Sequence, residues 1–190
     1  MNYLALKKNI KIRKAPVGVI GLGYVGMPTA LAMAHAGIKV IGVDIDGAKV
    51  RQLNSGKSSI TGVSNDELKA VSKKFFATTD WAAIKKCKVV LISVPTPITK
   101  NKTPDTSAIE SVASKIAKYL KKGSLVILES TTYPGTTEEL LGPLLEKSGL
   151  KAGKDFYLAY APERIDPGNK DYAFTEVPRI VGGIDKRSTD

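Results

Sequence analysis

Apolar residues come in short uninterrupted runs along this chain, and polar or amphipathic stretches separate them. Val17-Gly18-Val19-Ile20, Lys39 to Val43, Phe75 to Thr79, Lys88 to Val94, Leu125 to Glu129 and Phe156 to Tyr160 each read as a strand buried on both faces. Arg179 to Val181, before Gly182-Gly183, predicts a seventh. The stretches between them carry helix signals. A helix is predicted from near Tyr24 to Ala36, with Gly37 where a C-cap wants positive φ. Asp46 predicts the N-cap of a helix reaching about Leu53, and Asp80 that of a short helix, Trp81 to Lys86. Ser64 with Glu67 forms a capping-box signature. Asp105 or Thr106 starts a helix from Ser107 to Leu120, which Gly123 ends. Thr136 to Lys147 predicts a last helix, with Glu138 and Glu139 in the first turn, where the helix dipole favours acids.

Strands alternating with helices predict an α/β domain. The expected form is Rossmann-type, a doubly wound, mainly parallel sheet with helices on both faces. Residues 15–190 are expected to make one such domain. Residues 1–14 are expected to form a basic N-terminal arm, partly disordered.

The first strand runs into Gly21-Leu22-Gly23-Tyr24-Val25-Gly26, a G-x-G-x-x-G pattern followed by the helix. Gly21 allows a tight turn, Gly23 lets backbone approach a pyrophosphate, and Gly26 lets the helix pack close to the strand. The helix N-terminus offers N–H groups and a positive dipole end to phosphates. Asp44 ends the second strand about 20 residues further on, where an acid accepts hydrogen bonds from a ribose diol. The pattern alone is weak evidence; the strand, helix and acid around it make it a dinucleotide signature. Val17 to Ile38 carries no charge if His35 is neutral, so a membrane helix has to be weighed. Three glycines in the motif, and Pro28 soon after, argue against one continuous span; Pro28 suits a first helical turn.

The chain has 190 residues, 43% of them hydrophobic and 25% charged, enough for one substantial core. No N-terminal apolar stretch resembles a signal peptide, so a cytoplasmic location is expected. One cysteine and one histidine leave no basis for a cysteine- or histidine-rich metal site, and no metal is expected. The net charge of +11 raises nucleic-acid binding. Lys7, Lys8, Lys11, Arg13 and Lys14 supply five of those charges ahead of the fold, and other lysines pair at helix ends. No aromatic–basic alternation accompanies them, so solvated faces are the better account and no nucleic-acid partner is expected.

Open α/β sheets bind ligands beyond the carboxyl ends of their strands. Val94-Pro95-Thr96-Pro97 falls there, with a hydroxyl in reach of a cofactor. So does Ser130 to Thr137, dense in hydroxyls. So does Ala161 to Asn169, where Glu163 would lie beside a nicotinamide and could act in acid–base chemistry. Each loop taken singly is also ordinary turn chemistry; their coincidence on one edge favours a site. Cys87, at the entry to the fourth strand, reads as a packed structural thiol despite Lys86 and Lys88 beside it. His35 reads as a helix-end residue.

In this order, GLGYVG, VPTP, ESTTYPGTT and the PER loop resemble the UDP-glucose/GDP-mannose dehydrogenase family over Val17 to Gly183. Arg164 follows Glu163, where the glucose- and mannose-acting members usually have Phe. The run Glu163 to Asn169 looks most like the UDP-N-acetylglucosamine 6-dehydrogenases, with the UDP-N-acetylmannosamine enzymes second. The resemblance implies an NAD-dependent oxidoreductase of polysaccharide biosynthesis. It would oxidise carbon 6 of a UDP-sugar to a uronic acid with two NAD, through an aldehyde captured by a cysteine as a thiohemiacetal. It implies that Glu163 and Thr131, or Thr132, activate a water, that Asp44 binds the adenosine ribose and that Lys49 lies near the adenine. The cofactor contacts so implied are Gly21, Gly23, Tyr24, Val25, Gly26, Asp44, Lys49, Val94, Pro95, Thr96, Ser130 and Thr131. The cysteine and most of the sugar-nucleotide surface would belong to a second half outside these 190 residues, so this chain alone is expected to be inactive. The full-length protein is expected to be a homo-oligomer without membrane association. UDP-glucose oxidation, another Rossmann oxidoreductase and a non-catalytic NAD-binding module are the competing readings.

Overall fold

The computed structural model describes residues 2–163 and 178–190. In chain order they form α1 (Tyr3–Lys11), β1 (Val17–Ile20), α2 (Gly26–His35), β2 (Val40–Val43), α3 (Gly47–Asn54), α4 (Asn65–Ala70) and β3 (Phe75–Thr78). A 3₁₀ helix (Trp81–Lys86), β4 (Val89–Ile92), α5 (Ser107–Ala117) and β5 (Leu125–Leu128) follow. The chain continues through a π-helical turn (Thr136–Leu141), α6 (Gly142–Glu146), β6 (Tyr157–Tyr160), β7 (Gly182–Gly183) and α7 (Lys186–Thr189). The strands form one sheet in the order β3-β2-β1-β4-β5-β6-β7, parallel but for the last pair. The expected Rossmann-type fold is therefore the one observed.

The alternation of strand side chains builds two cores. Val17, Val19, Val89 and Leu91 point to one face, against Ala30 and Ala34 of α2, Val50 and Leu53 of α3, and Leu68 of α4. Ile20, Val90, Ile92, Val126 and Leu128 point to the other, against Ile109, Ala113 and Ile116 of α5 and Leu145 of α6. The helix starts follow the predicted caps. Asp46 accepts from the amides of Ala48 and Lys49, Asp80 accepts from Ala82, and Ser64 and Glu67 complete the capping box.

Three segments differ from the sequence reading. Residues 3–11 of the arm are helical: Asn2 caps α1 by accepting from the Ala5 amide, and Leu6 is buried. The Tyr3 ring meets Tyr157 edge-on at 6.0 Å, and its hydroxyl donates to Asp190 at 3.1 Å. The last long helix is split into a π turn and α6, entered through Gly135 at φ 91. The seventh strand is Gly182–Gly183 rather than 179–181 and runs antiparallel to β6.

Cys87 is buried under β1, and a Cβ on Gly18 would lie 3.1 Å from its sulfur. Burial pushes its thiol up to about 11. At pH 8 only about one part in a thousand is thiolate. Ellman's reagent is therefore expected to leave Cys87 unmodified in the native protein and to modify it fully in denaturant. Rapid native labelling would contradict the packed position.

Candidate functional site

The strand order reverses between β1 and β4, and a cleft of about 700 Å³ opens there, beyond the carboxyl ends of the strands. The glycine motif forms its floor. Gly21 turns out of β1 at φ 91, and a Cβ there would lie 2.5 Å from the Ser93 carbonyl. Gly26 packs α2 onto the same turn, where a Cβ would lie 1.9 Å from the Gly21 oxygen. Gly23 is the opposite case: a Cβ would meet nothing within 4 Å. The N-terminus of α2 has no side-chain cap, so its polar end faces the open space above Gly23.

Asp44 closes the β2 end of the cleft. Its Oδ2 accepts from the Leu22 amide at 2.8 Å and from Lys49 Nζ at 2.8 Å, and Oδ1 accepts from the Asp46 amide at 2.9 Å. Burial favours the protonated acid, but these donors and the Lys49 charge outweigh it and hold the carboxyl below its usual range. Two carboxylate oxygens offer about four lone-pair directions, so room for a further donor remains.

The loops after β4 and β5 are tied together. Ser130 donates to the Val94 carbonyl at 2.7 Å and accepts from the Val94 amide at 3.0 Å. Thr96 donates to the Thr131 carbonyl at 2.5 Å. Both hydroxyls, expected to face a cofactor, thus brace the cleft wall. Thr131 lines the cleft; Thr132 pairs instead with Thr136 at 2.9 Å. Every residue expected to contact cofactor lines the cleft except Gly26, which lies beneath it, and Glu163 lines it too. Arg164 to Asn169 lie outside the described residues.

A charged cluster that the sequence reading missed backs the cleft. Glu129 is 1% exposed at the end of β5. Its Oε2 accepts from Ser93 Oγ at 2.5 Å, and its Oε1 from Arg179 Nη1 at 2.9 Å. Arg179 Nη2 pairs with Glu163 Oε2. Burial pushes Glu129 up, against the pull of Ser93 and Arg179. A Glu ending an apolar strand is the signal that could have revealed it, since buried carboxylates are rarely left without partners. Arg179, read as a strand residue, carried no such signal. Trp81 and Lys115, its Nζ 4.8 Å from the indole centroid, also line the cleft and were not anticipated.

Fold and cleft together define a dinucleotide-binding domain, whose open glycine cradle, uncapped helix end and acid at the end of β2 fit NAD. Residues 15–190 match the UDP-glucose/GDP-mannose dehydrogenase family, NAD binding domain, and the chain belongs to that family. It is 42% identical over 168 residues, 88% of its length, to UDP-N-acetyl-D-glucosamine 6-dehydrogenase of Pseudomonas aeruginosa, of which the match spans 39%. It is 37% identical to UDP-N-acetyl-D-mannosamine dehydrogenase of Pyrococcus horikoshii, covering 92% of this chain and 42% of that one. The crystal structure of NDP-N-acetyl-D-galactosaminuronic acid dehydrogenase from Methanosarcina mazei Go1 superposes with a TM-score of 0.85 at 40% identity, covering 97% and 42% of the two chains. The chain thus spans about two fifths of the length of these relatives.

An acid held against the adenosine ribose, as expected of Asp44, would set a preference. A 2′-phosphate would be repelled by the carboxylate and would lack the hydroxyl that donates to it. Calorimetry is expected to show NAD binding at least about tenfold tighter than NADP, with Asp44→Ala weakening NAD by about ten- to hundredfold, the range of a hydrogen bond to a charged group. Equal or tighter NADP binding in the unaltered chain would remove Asp44 from the ribose.

Proposed function

We propose that this chain is the NAD-binding domain of a nucleotide-sugar 6-dehydrogenase that oxidises carbon 6 of a UDP-N-acetylhexosamine, UDP-N-acetylglucosamine first, to a uronic acid. The observation that carries the reading is the placement of the Glu163 carboxylate in the same cleft as the glycine cradle and Asp44. NAD, when bound, would supply the acceptor for hydride, and two NAD used in turn would account for the four electrons lost between alcohol and acid. The chain's own residues do the rest. The Gly23 cradle and the α2 terminus hold the pyrophosphate, and Asp44 with Lys49 orients the adenosine end. Val94 and Pro95 wall the cleft, and Ser130 and Thr96 keep its two loops together. Glu163 takes a proton from a water that the Thr131 hydroxyl helps to hold; the water oxygen bonds to carbon 6 of the acyl group held on the cysteine expected in the second half, and the carbon–sulfur bond breaks to release the acid and the thiol.

The choice of glucosamine over mannosamine rests on the Glu163 to Asn169 sequence. The test is NADH formation by the longer protein of which this chain would be the cofactor domain, with UDP-N-acetylglucosamine, UDP-N-acetylmannosamine and UDP-glucose compared at equal concentration. The highest kcat/KM is expected for the glucosamine. A preference for mannosamine or glucose would replace the substrate; no turnover of any of them would remove the activity.

A further inference from the structure

Arg179 stands between two buried carboxylates contributed by different loops. Its Nη1 reaches Glu129 and its Nη2 reaches Glu163. Glu129 is fixed from the other side by the Ser93 hydroxyl at the end of β4, and the Glu163 amide donates to the Glu129 carbonyl at 3.4 Å. The side chains of Glu129 and Glu163 are 1% and 5% exposed, whereas that of Arg179 is 26% exposed. A chain of contacts thus runs from Ser93 and Glu129 at the back of the cleft to Glu163 through the Arg179 guanidinium. The guanidinium fork is planar and rigid, so bonds from its two nitrogens fix the second carboxylate relative to the first.

We propose that Arg179 is a positioning residue for Glu163: anchored on Glu129 and Ser93, it holds the Glu163 carboxylate at the mouth of the cofactor cleft. The inference rests on the role given to Glu163 above. Lysine cannot replace it fully, because a single ammonium on a flexible stem does not span both acids with a fixed fork. Removing the cation takes the shared guanidinium from two buried carboxylates, and Glu163 loses the contact that fixes its carboxylate relative to Glu129.

The test is made in the full-length protein. Arg179→Ala is expected to lower kcat about a hundredfold, the scale of a general base put out of position, with KM for NAD within about twofold. Added guanidinium ion at millimolar concentration, entering through the exposed side of the cavity left behind, is expected to restore kcat at least tenfold. Unchanged kcat, or a folded variant that guanidinium does not rescue, overturns the proposal. Should Arg179→Ala not fold, Arg179→Lys is read instead: about a tenfold loss in kcat with unchanged KM for NAD supports it, and full activity overturns it. If the unaltered protein oxidises no UDP-sugar, the proposed function fails, and positioning is judged from crystal structures of the unaltered and Arg179→Lys proteins. A Glu163 carboxylate displaced in the variant supports it; one left in place overturns it.

Discussion

Gly23→Val protein is expected to fold and to lose NAD. The two halves of that outcome come from one observation. A Cβ on Gly23 would touch no protein atom within 4 Å, so the domain has room for a side chain there. That room is the space a pyrophosphate would fill. Circular dichroism and the melting temperature should therefore stay close to those of the unaltered chain, while the calorimetric Kd for NAD rises more than about a hundredfold, equivalent to nearly 3 kcal/mol. Gly26→Ala makes the contrast. Its Cβ would sit 1.9 Å from the Gly21 oxygen and 3.2 Å from the Ser93 side chain. The turn and α2 must part, and a loss of about 3 kcal/mol of stability or more is expected. A folded Gly23→Val that binds NAD normally would place the phosphate site elsewhere.

Assayed by itself, the 190-residue polypeptide is expected to bind NAD and leave UDP-sugars unoxidised. Its one cysteine is buried at the foot of the sheet beneath Gly18, away from the cleft. No thiol is therefore placed to hold an aldehyde carbon. Glu163 and Thr131 line one wall of the cleft, but a sugar nucleotide needs further surface to hold carbon 6 against the cofactor. Proximity accounts for about 7–11 kcal/mol of barrier lowering in complete sites, and forfeiting 7 of them slows a reaction about 10⁵-fold. In the longer protein, Glu163→Gln is expected to slow turnover about 10²- to 10⁴-fold, as loss of a general base does. The deciding measurement is absorbance at the NADH band with the purified polypeptide, NAD and a panel of UDP-sugars. Sustained NADH production that vanishes in Cys87→Ser would overturn both the incomplete-site argument and the packed reading of Cys87.

What could be read from the sequence was what local rules govern. Apolar runs located β1 to β6, and Asp46, Ser64 and Asp80 announced their helices through side-chain to backbone hydrogen bonds made within a few residues. The glycine motif and Asp44 were legible for the same reason, because turn, helix start and acid follow one another along the chain. What depends on distant partners was not. The N-terminal arm is held by Tyr3 of α1 against Tyr157 and by Arg13 donating to the Ala36 carbonyl, contacts no local pattern encodes. Arg179 looked like strand because Ile180 and Val181 follow it; in the fold its guanidinium turns to Glu129 and Glu163, and the pairing shifts to Gly182–Gly183. Thr96 and Ser130 line the cleft, yet their hydroxyls face each other's loops, a choice set by tertiary packing.

The order of the strands also dictates when, during synthesis, the cofactor can begin to help. β1, β2 and β3 come off the ribosome in succession and lie side by side. The wall that braces the glycine turn belongs to β4: Val17 pairs with Val89, and the Ser93 carbonyl sits against Gly21. At about 5–20 residues per second, the interval between Val43 and Val89 lasts a few seconds, during which the inner edge of β1 stands open as a template for mispairing. Ligand stabilises only the state that binds it. The full cleft that would hold NAD is therefore complete only when β4 has docked and the Ser130 loop has closed against it, and the cofactor's stabilisation is expected to reach full strength only then.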